Sequence, residues 1–191
     1  GEYTVAPNFA YELMANLLEK LPEEKKNEYS LKSIVRCISG SEPVHINTFI
    51  RFFNQVEKMG LDKRTIMFAY GQSEATLVET AYNIGEDLTI IKADLNKLNS
   101  GIVDVIEEKS FYGIDKTIDE NSDKELYLVA NGTANPGHKI SIIDVESGKE
   151  LDKYQIGEIY FYGPSVTNGY YNNPEATDGS FGTDAEGVRY L

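Results

Sequence analysis

Reactive and basic side chains are scarce in this 191-residue chain. Cys37 is the only cysteine, so no internal disulfide, C-x-x-C pair or cysteine-built zinc site can form. It lies in the apolar run SIVRCIS, where a buried structural thiol is expected. Histidine occurs at 45 and 138 only, and neither copy sits in a motif that requires one; surface or capping positions are expected for both. No apolar stretch reaches the roughly 18 residues of a membrane-spanning helix and no signal-peptide pattern is present. Stable membrane insertion is therefore not expected, and the cytoplasm is the default compartment. The 18 basic residues face 31 acidic ones, a formal charge of −13 that disfavours nucleic acid and anionic membranes as general partners. Internal repeats and low-complexity segments are absent.

What the chain does contain is material for a core: 41% hydrophobic and 11% aromatic residues, enough for one domain or two small ones. After Ala6-Pro7-Asn8, the apolar residues Phe9, Ala10, Leu13, Met14, Leu17, Leu18 and Leu21 recur at the spacing of one helical face. Pro22 interrupts that helix, and PEEKKNEYS forms a charged, exposed connection. Residues 33–39 predict a buried strand, ended by the turn Gly40-Ser41-Glu42-Pro43. Asn47 is placed to cap a second helix with Phe49, Ile50, Phe53, Val56 and Met59 on its inner face and Gly60 as its stop. Residues 65–70 are β-branched and aromatic enough for a second buried strand. Helix, strand, helix, strand predicts a parallel α/β layer, in which ligands sit at the carboxyl ends of strands. If the two strands are neighbours, the turns SGSEP and YGQSE share one cleft.

The second turn concentrates the chemistry. Tyr70 offers a stacking plate, Gly71 a close backbone approach, Ser73 in the polar cluster Gln72-Ser73-Glu74 a hydrogen bond for a phosphate, and Glu74 a hard anionic ligand. That combination suits a nucleotide with magnesium. The plainer reading is a strand ending in a polar turn, with Tyr70 packing a rim and Glu42 and Glu74 solvated.

Beyond Glu79 the texture changes. The strand-like pieces LTIIKA and IVDVIEE flank a polar centre, and residues 115–125 form a charged loop with turn residues Asp119, Asn121, Ser122 and Asp123. That loop lacks the glycine and closing glutamate of a calcium site. Short strands then dominate: LYLVA, KISIIDV and GEIYFYG, with ESGK as a hairpin turn. Tyr160, Tyr162, Tyr170 and Tyr171 read as strand and rim packing. The expected fold is α/β: part of a parallel-sheet subdomain over residues 1–85, followed over 86–191 by a small β-rich, barrel-like subdomain. The tail ends on VRYL without a stop signal, so the chain is expected to be a piece of a larger domain.

APNFAYEL, SGSEPV, YGQSEAT, NGTANPGHKISIID and GEIYFYGPSVTNGYYNNPEAT, in that order, resemble successive motifs of the acyl-adenylate-forming superfamily, most closely its fatty-acyl-AMP ligases. The resemblance implies a fragment of the large amino-terminal domain of an ATP- and Mg2+-dependent enzyme that activates a fatty acid as its acyl-adenylate. The family's glycine-rich phosphate loop would lie upstream; its TGD motif and mobile lysine-bearing domain would lie downstream. The isolated chain is accordingly expected to be inactive. Residue by residue, the likeness sets Tyr70, Gly71 and Gln72 against adenine, Ser73 on the α-phosphate and Glu74 on magnesium. Gly40, Ser41, Glu42 and Pro43 would frame the adenine, Asn8 and Phe9 would border the acyl tunnel, and Gly132 would open the barrel's entry loop. Residues of about 86–112 match the position of the insertion that acyl-AMP ligases carry, which implies an acyl carrier protein as acceptor.

Three alternatives stay open: a fatty acid–coenzyme A ligase fragment, a serine hydrolase and a non-catalytic interaction module. The hydrolase reading rests on Gly71-Gln72-Ser73-Glu74-Ala75, which approximates a nucleophile elbow around Ser73. It would need His138 as its base, since no other histidine follows Ser73.

Overall fold

The computed structural model describes residues 1–83, 85–119 and 122–191. The first half runs β1 (Tyr3–Ala6), α1 (Asn8–Lys20), a one-turn α2 (Glu23–Lys26), β2 (Arg36–Ser39), α3 (Ile46–Val56) and β3 (Ile66–Tyr70). β1, β2 and β3 pair in parallel, with Ala6, Ser39 and Phe68 abreast. The two strands expected from sequence are thus direct neighbours. The third, β1, is visible only through its pairing with β2.

One face of this sheet is covered by α1 and α3. Its core holds Cys37, Phe49, Ile50, Ile66 and Phe68, and burial pushes the Cys37 thiol above its ordinary range. Each fully buried phenylalanine contributes about 1.5–3 kcal/mol relative to exposure. Rings step through this core from Tyr11 to Phe49 (4.9 Å), Phe49 to Phe68 (4.8 Å) and Phe68 to Phe111 (6.1 Å). Arg51 on α3 holds α1 from outside, donating to Glu12 (2.5 Å), Asn16 (2.6 Å) and Glu19 (2.9 and 2.8 Å).

Two local expectations are corrected. α1 carries two apolar stripes: Tyr11, Met14, Ala15 and Leu18 face the core, whereas Phe9, Leu13 and Leu17 are more than half exposed. Spacing of three and four residues does not distinguish one broad face from two adjacent ones. Asn47 does not cap α3, whose N-cap is His45. Instead its side chain clasps the backbone of Ile118, accepting from the N–H (2.8 Å) and donating to the carbonyl (2.7 Å).

β4 (Thr80–Ala81) adds antiparallel to β3. β5 (Thr89–Asp94), a single turn α4 (Leu95–Leu98) and β6 (Val105–Ser110) follow, and β7 (Glu125–Val129) pairs on the other side of β5. Leu88, Ile90, Phe111 and Ile114 from this segment enter the α/β core. Its tip is tied to the strand-rich half, where Val103 N–H donates to the Tyr154 carbonyl (2.9 Å) and Ile102 bridges to Gln155. In the preceding loop, Asn121 lies outside the described residues, and Ser122 Oγ accepts from the Lys124 and Glu125 amides.

β8 (Thr133–Ala134) pairs with β4 and completes the first sheet in the order β1-β2-β3-β4-β8. β9 (Lys139–Ile143), β10 (Glu158–Tyr162), α5 (Pro174–Ser180), β11 (Gly182–Thr183) and β12 (Arg189–Tyr190) finish the chain. Their sheet is antiparallel, in the order β11-β12-β10-β9, around the small core of Ala75, Phe161, Phe181 and Leu191. The expected mixture of parallel α/β layer and β-rich half is present, but no barrel closes among the described residues. No helix among them is long and apolar enough to cross a membrane.

Candidate functional site

Because β1, β2 and β3 are parallel and in register, the segments after them emerge at one edge. Asn8, the loop of residues 40–43 and the turn of residues 71–76 therefore meet there. Gly71 has to be glycine for steric reasons: a Cβ would lie 1.7 Å from the Leu77 carbonyl oxygen, because the turn folds back on itself. Residues Ser73–Ala75 form a 3-10 turn, after which Thr76 (φ +60°) and Leu77 (φ +97°) both adopt left-handed backbone. Two consecutive non-glycine residues in that region are strained and must be held by their surroundings.

Two cavities flank this edge and share Ser41, Ala69, Tyr70 and Gly71. The larger, about 640 Å³, lies between Glu42, Pro43, His45 and Tyr70 on one side and Leu126, Leu128 and Asn131 on the other. The smaller, about 160 Å³, lies on the sheet face opposite α1 and α3 and is lined by Val5, Ile38, Ala69, Leu77 and Val78. Sequence reading did not select these apolar residues; the only signal for them is alternation along strands too short to display it.

Tyr70 is 37% exposed at the cavity border, and burial and then the nearby Glu79 push its hydroxyl above its usual range. Ser73 is exposed. Glu74 accepts a hydrogen bond from the Tyr170 hydroxyl, which holds its carboxyl below the usual range, aided by its own backbone N–H. Glu74 is thus an ionised, oriented carboxylate. Among the described residues no group of three or more Asp, Glu, His or Cys side chains converges. A Mg2+ here would take Glu74 from this chain and complete its octahedron with phosphate oxygens and water, the habit of nucleotide-bound magnesium. Tyr170, read from sequence as rim packing, is the unexpected member of the site.

The other selected residues have structural engagements. The Glu42 carboxylate accepts from the Phe9 backbone N–H and so caps the amino-terminal end of α1, where negative charge is favoured. Asn8 is buried; its Oδ1 accepts from the His45 N–H (3.0 Å) and its Nδ2 lies 3.5 Å from Thr48 Oγ1. Phe9 projects from the outer stripe of α1, 64% exposed. Gly132 lies against Ala81 on β4, away from the residue 40–43 loop in the sheet order.

Glu79 was not singled out from sequence. Its side chain is fully buried, and among the described residues neither carboxyl oxygen has a hydrogen-bond partner. Burial pushes its pKa up, partly offset by the neighbouring Gln72 amide and reinforced by the Glu74 charge. The hydrolase alternative loses its base: His138 Nε2 is engaged by Ser165, with Oγ at 2.9 Å, and not by Ser73.

The family described as AMP-binding enzyme matches residues 3–171. The chain belongs to that family. It is 31% identical over 182 residues to the long-chain-fatty-acid–AMP ligase FadD32 of Mycolicibacterium smegmatis, covering 95% of this chain and 26% of the relative. To the putative fatty-acid–CoA ligase fadD25 of Mycobacterium tuberculosis it is 30% identical, covering 94% and 28%. A fatty acyl-adenylate ligase from Legionella pneumophila, solved with acyl adenylate and pyrophosphate, superposes with a TM-score of 0.79 at 28% identity, covering 98% of this chain and 30% of that one. The chain therefore spans between a quarter and a third of the length of these three relatives. Its relatives include fatty-acyl-AMP ligases, as the five sequence motifs implied.

Proposed function

We propose that this chain forms one wall of a fatty acyl-adenylate site in a longer AMP-binding enzyme. The observation that carries this reading is the meeting of the residue 40–43 loop with the residue 70–74 turn at adjacent parallel strand ends, between a larger cavity and an apolar cleft. Adenine lies in the larger cavity against Tyr70 and Pro43. The acyl group lies in the cleft of Val5, Ile38, Ala69, Leu77 and Val78. Gly71 separates the two, so the fatty carboxylate and the α-phosphate meet over Gly71 to Glu74.

In the reaction a carboxylate oxygen of the fatty acid bonds to the α-phosphorus of ATP while the bond to the pyrophosphate oxygen breaks, giving acyl-AMP and pyrophosphate. Two anions must approach, so positioning and charge neutralisation dominate. When bound at Glu74, Mg2+ supplies positive charge and orients the phosphates. Ser73, exposed at the turn, donates its hydroxyl hydrogen to an α-phosphate oxygen, and Tyr170 keeps Glu74 ionised and aimed.

The acceptor we propose is an acyl carrier protein. The support is the segment of residues 86–112, anchored in the α/β core through Leu88, Ile90 and Phe111 and tied at its tip to residues 154–156. A segment fixed at both ends forms a rigid border where a mobile domain would rotate for thioester formation with coenzyme A. The test uses the full-length enzyme with ATP, Mg2+ and fatty acids, acyl-AMP being followed by mass spectrometry, with coenzyme A and a phosphopantetheinylated carrier protein offered separately. Accumulating acyl-AMP that transfers to the carrier and not to coenzyme A is expected. Efficient acyl-coenzyme A formation would leave the adenylation step and overturn the acceptor assignment; absence of acyl-AMP with every fatty acid tried would overturn the reading itself.

A further inference from the structure

The strained turn behind Glu74 is held from outside by the loop after β10. Thr76 Oγ1 donates to the Ser165 carbonyl (2.8 Å), the Thr167 N–H donates to the Glu74 carbonyl (2.8 Å), and the Tyr170 hydroxyl donates to the Glu74 carboxylate. That loop needs an anchor of its own, and His138 provides it. The imidazole Nδ1 lies 3.1 Å from the Pro136 carbonyl, which can only accept, so Nδ1 carries the hydrogen. Nε2 is then a bare acceptor, and it faces two donors of one residue: the Ser165 N–H (3.3 Å) and the Ser165 hydroxyl (2.9 Å). One tautomer satisfies both ends of the ring.

The ring is also clamped sterically. It stacks on Phe161 at 5.1 Å with planes 10° apart. Gly163 also packs against the ring, where a Cβ would stand 2.1 Å from the imidazole Cδ2 and where φ is +149°. A histidine packed against Phe161 and Gly163 and hydrogen-bonded at both nitrogens cannot reorient without releasing Ser165, and Ser165 is the partner of Thr76. The path from β9 to the candidate metal carboxylate is therefore continuous: His138 to Ser165, Ser165 to Thr76, and Thr76 to Glu74 two residues before it, with Thr167 making a second, direct contact.

We propose that His138, in its Nδ1–H tautomer, is a positioning residue that acts through Ser165 to fix the Glu74 turn of the adenylate site. The proposal rests on the reading of Glu74 as a metal ligand. It assigns His138 no contact with substrate: an acceptor carbonyl, not a carboxylate, backs its Nδ1, and its Nε2 is occupied by a serine whose backbone is tied into the same brace.

The experiment is NMR on the 191-residue chain. Long-range nitrogen–proton correlation should show His138 with Nδ1 protonated and Nε2 bare. Amide exchange at Thr167 should accelerate about five- to tenfold in His138→Ala, the equivalent of losing about one hydrogen bond, and recover in His138→Gln, whose carbonyl can replace the Nε2 acceptor. Should His138→Ala loosen the whole β9–β10 sheet, Ser165→Ala decides, because it keeps the ring, its stack and the Ser165 N–H; a smaller acceleration confined to Thr167 and Leu77 is expected. Mn2+ as the probe should broaden residues around Glu74 and should bind more weakly in His138→Ala by a similar factor. Unchanged Thr167 exchange in both variants, or the opposite tautomer, would overturn the brace. Labelling of Ser165 by a fluorophosphonate would overturn it too, by marking the pair as reactive. Mn2+ broadening that survives Glu74→Gln would instead sink the metal reading, with the exchange result left to judge the brace alone.

Discussion

Replacing Glu79 probes the least comfortable group beneath the candidate site. The carboxyl is fully buried, neither oxygen has a hydrogen-bond partner among the described residues, and Gln72, Glu74 and Tyr70 lie close enough to perturb or be perturbed by it. An unsatisfied buried polar group of this kind costs about 1–3 kcal/mol. Glu79→Met keeps the approximate volume and removes both oxygens, so it should stabilise the chain by about that amount at neutral pH. At about 2–4 °C per kcal/mol for a chain of this size, the midpoint of thermal unfolding should rise by roughly 2–12 °C. Glu79→Gln separates titration from polarity. Because burial raises the folded pKa, the native state holds this proton more tightly than the unfolded chain does. The stability linked to it is fully present below the unfolded glutamate pKa of about 4.3 and is lost as pH rises through the folded value. Glu74, whose pKa is depressed, works in the opposite sense; its own titration is common to all three proteins, and the repulsion it shares with Glu79 is relieved alike in both variants. Urea unfolding between roughly pH 4 and pH 8 should show Glu79→Gln and the parent converging at the acid end and separating toward neutrality, while Glu79→Met stays above the parent throughout by a margin that widens toward neutrality. A gap between the parent and Glu79→Gln that does not change with pH, or a Glu79→Met protein less stable than its parent at neutral pH, would refute the argument.

Three further outcomes follow from the site. In the full-length enzyme, Glu74→Gln removes the anionic ligand while keeping shape, and fatty-acid-dependent adenylation, read as pyrophosphate exchange, should fall about a hundredfold with fatty-acid affinity little changed. Gly71→Ala should destabilise the chain by about 1–3 kcal/mol, measured by urea unfolding, because its Cβ would overlap the Leu77 carbonyl. The role of the segment near 86–112 is best tested by replacing residues 95–104 with an Asn-Gly turn, which leaves β5, β6 and the core residues Leu88, Ile90 and Phe111 in place; acyl-AMP formation should persist and transfer to coenzyme A should increase. Excising 92–110 instead would remove half of β5 and all of β6 and expose that core.

The elements legible in the sequence are those whose pattern is local and long enough to repeat. α3 and β3 could be placed from periodicity and end signals alone, and the shared cleft followed once β2 and β3 were taken as neighbours. β1, β4 and β8 were not legible, because they are defined by their partners; β2, also four residues long, showed through the apolar run SIVRCIS in which it lies. The second apolar stripe on α1 was merged with the first for want of a tertiary reference. Asn47 looked like a cap because the residue type suits one, while its actual partner, Ile118, lies 71 positions away. Tyr170 was assigned to rim packing and His138 to a surface or capping position for the same reason: the groups they contact are distant in sequence, Glu74 by 96 residues and Ser165 by 27. Gly71 could be selected because a glycine closing a strand before a polar cluster marks a sharp turn, and the turn does fold back so closely that a Cβ would meet the Leu77 carbonyl.

The central claim is that residues 40–45 and 69–74 form an adenine-binding wall. Titrating the isotope-labelled chain with AMP and following amide shifts tests it directly. Since one wall alone should bind at about millimolar strength, shifts confined to Gly40, Ser41, Val44, His45 and residues 69–74, weakened or abolished in Tyr70→Ala, are the predicted result. Shifts centred elsewhere, or equal AMP binding by Tyr70→Ala, would contradict it.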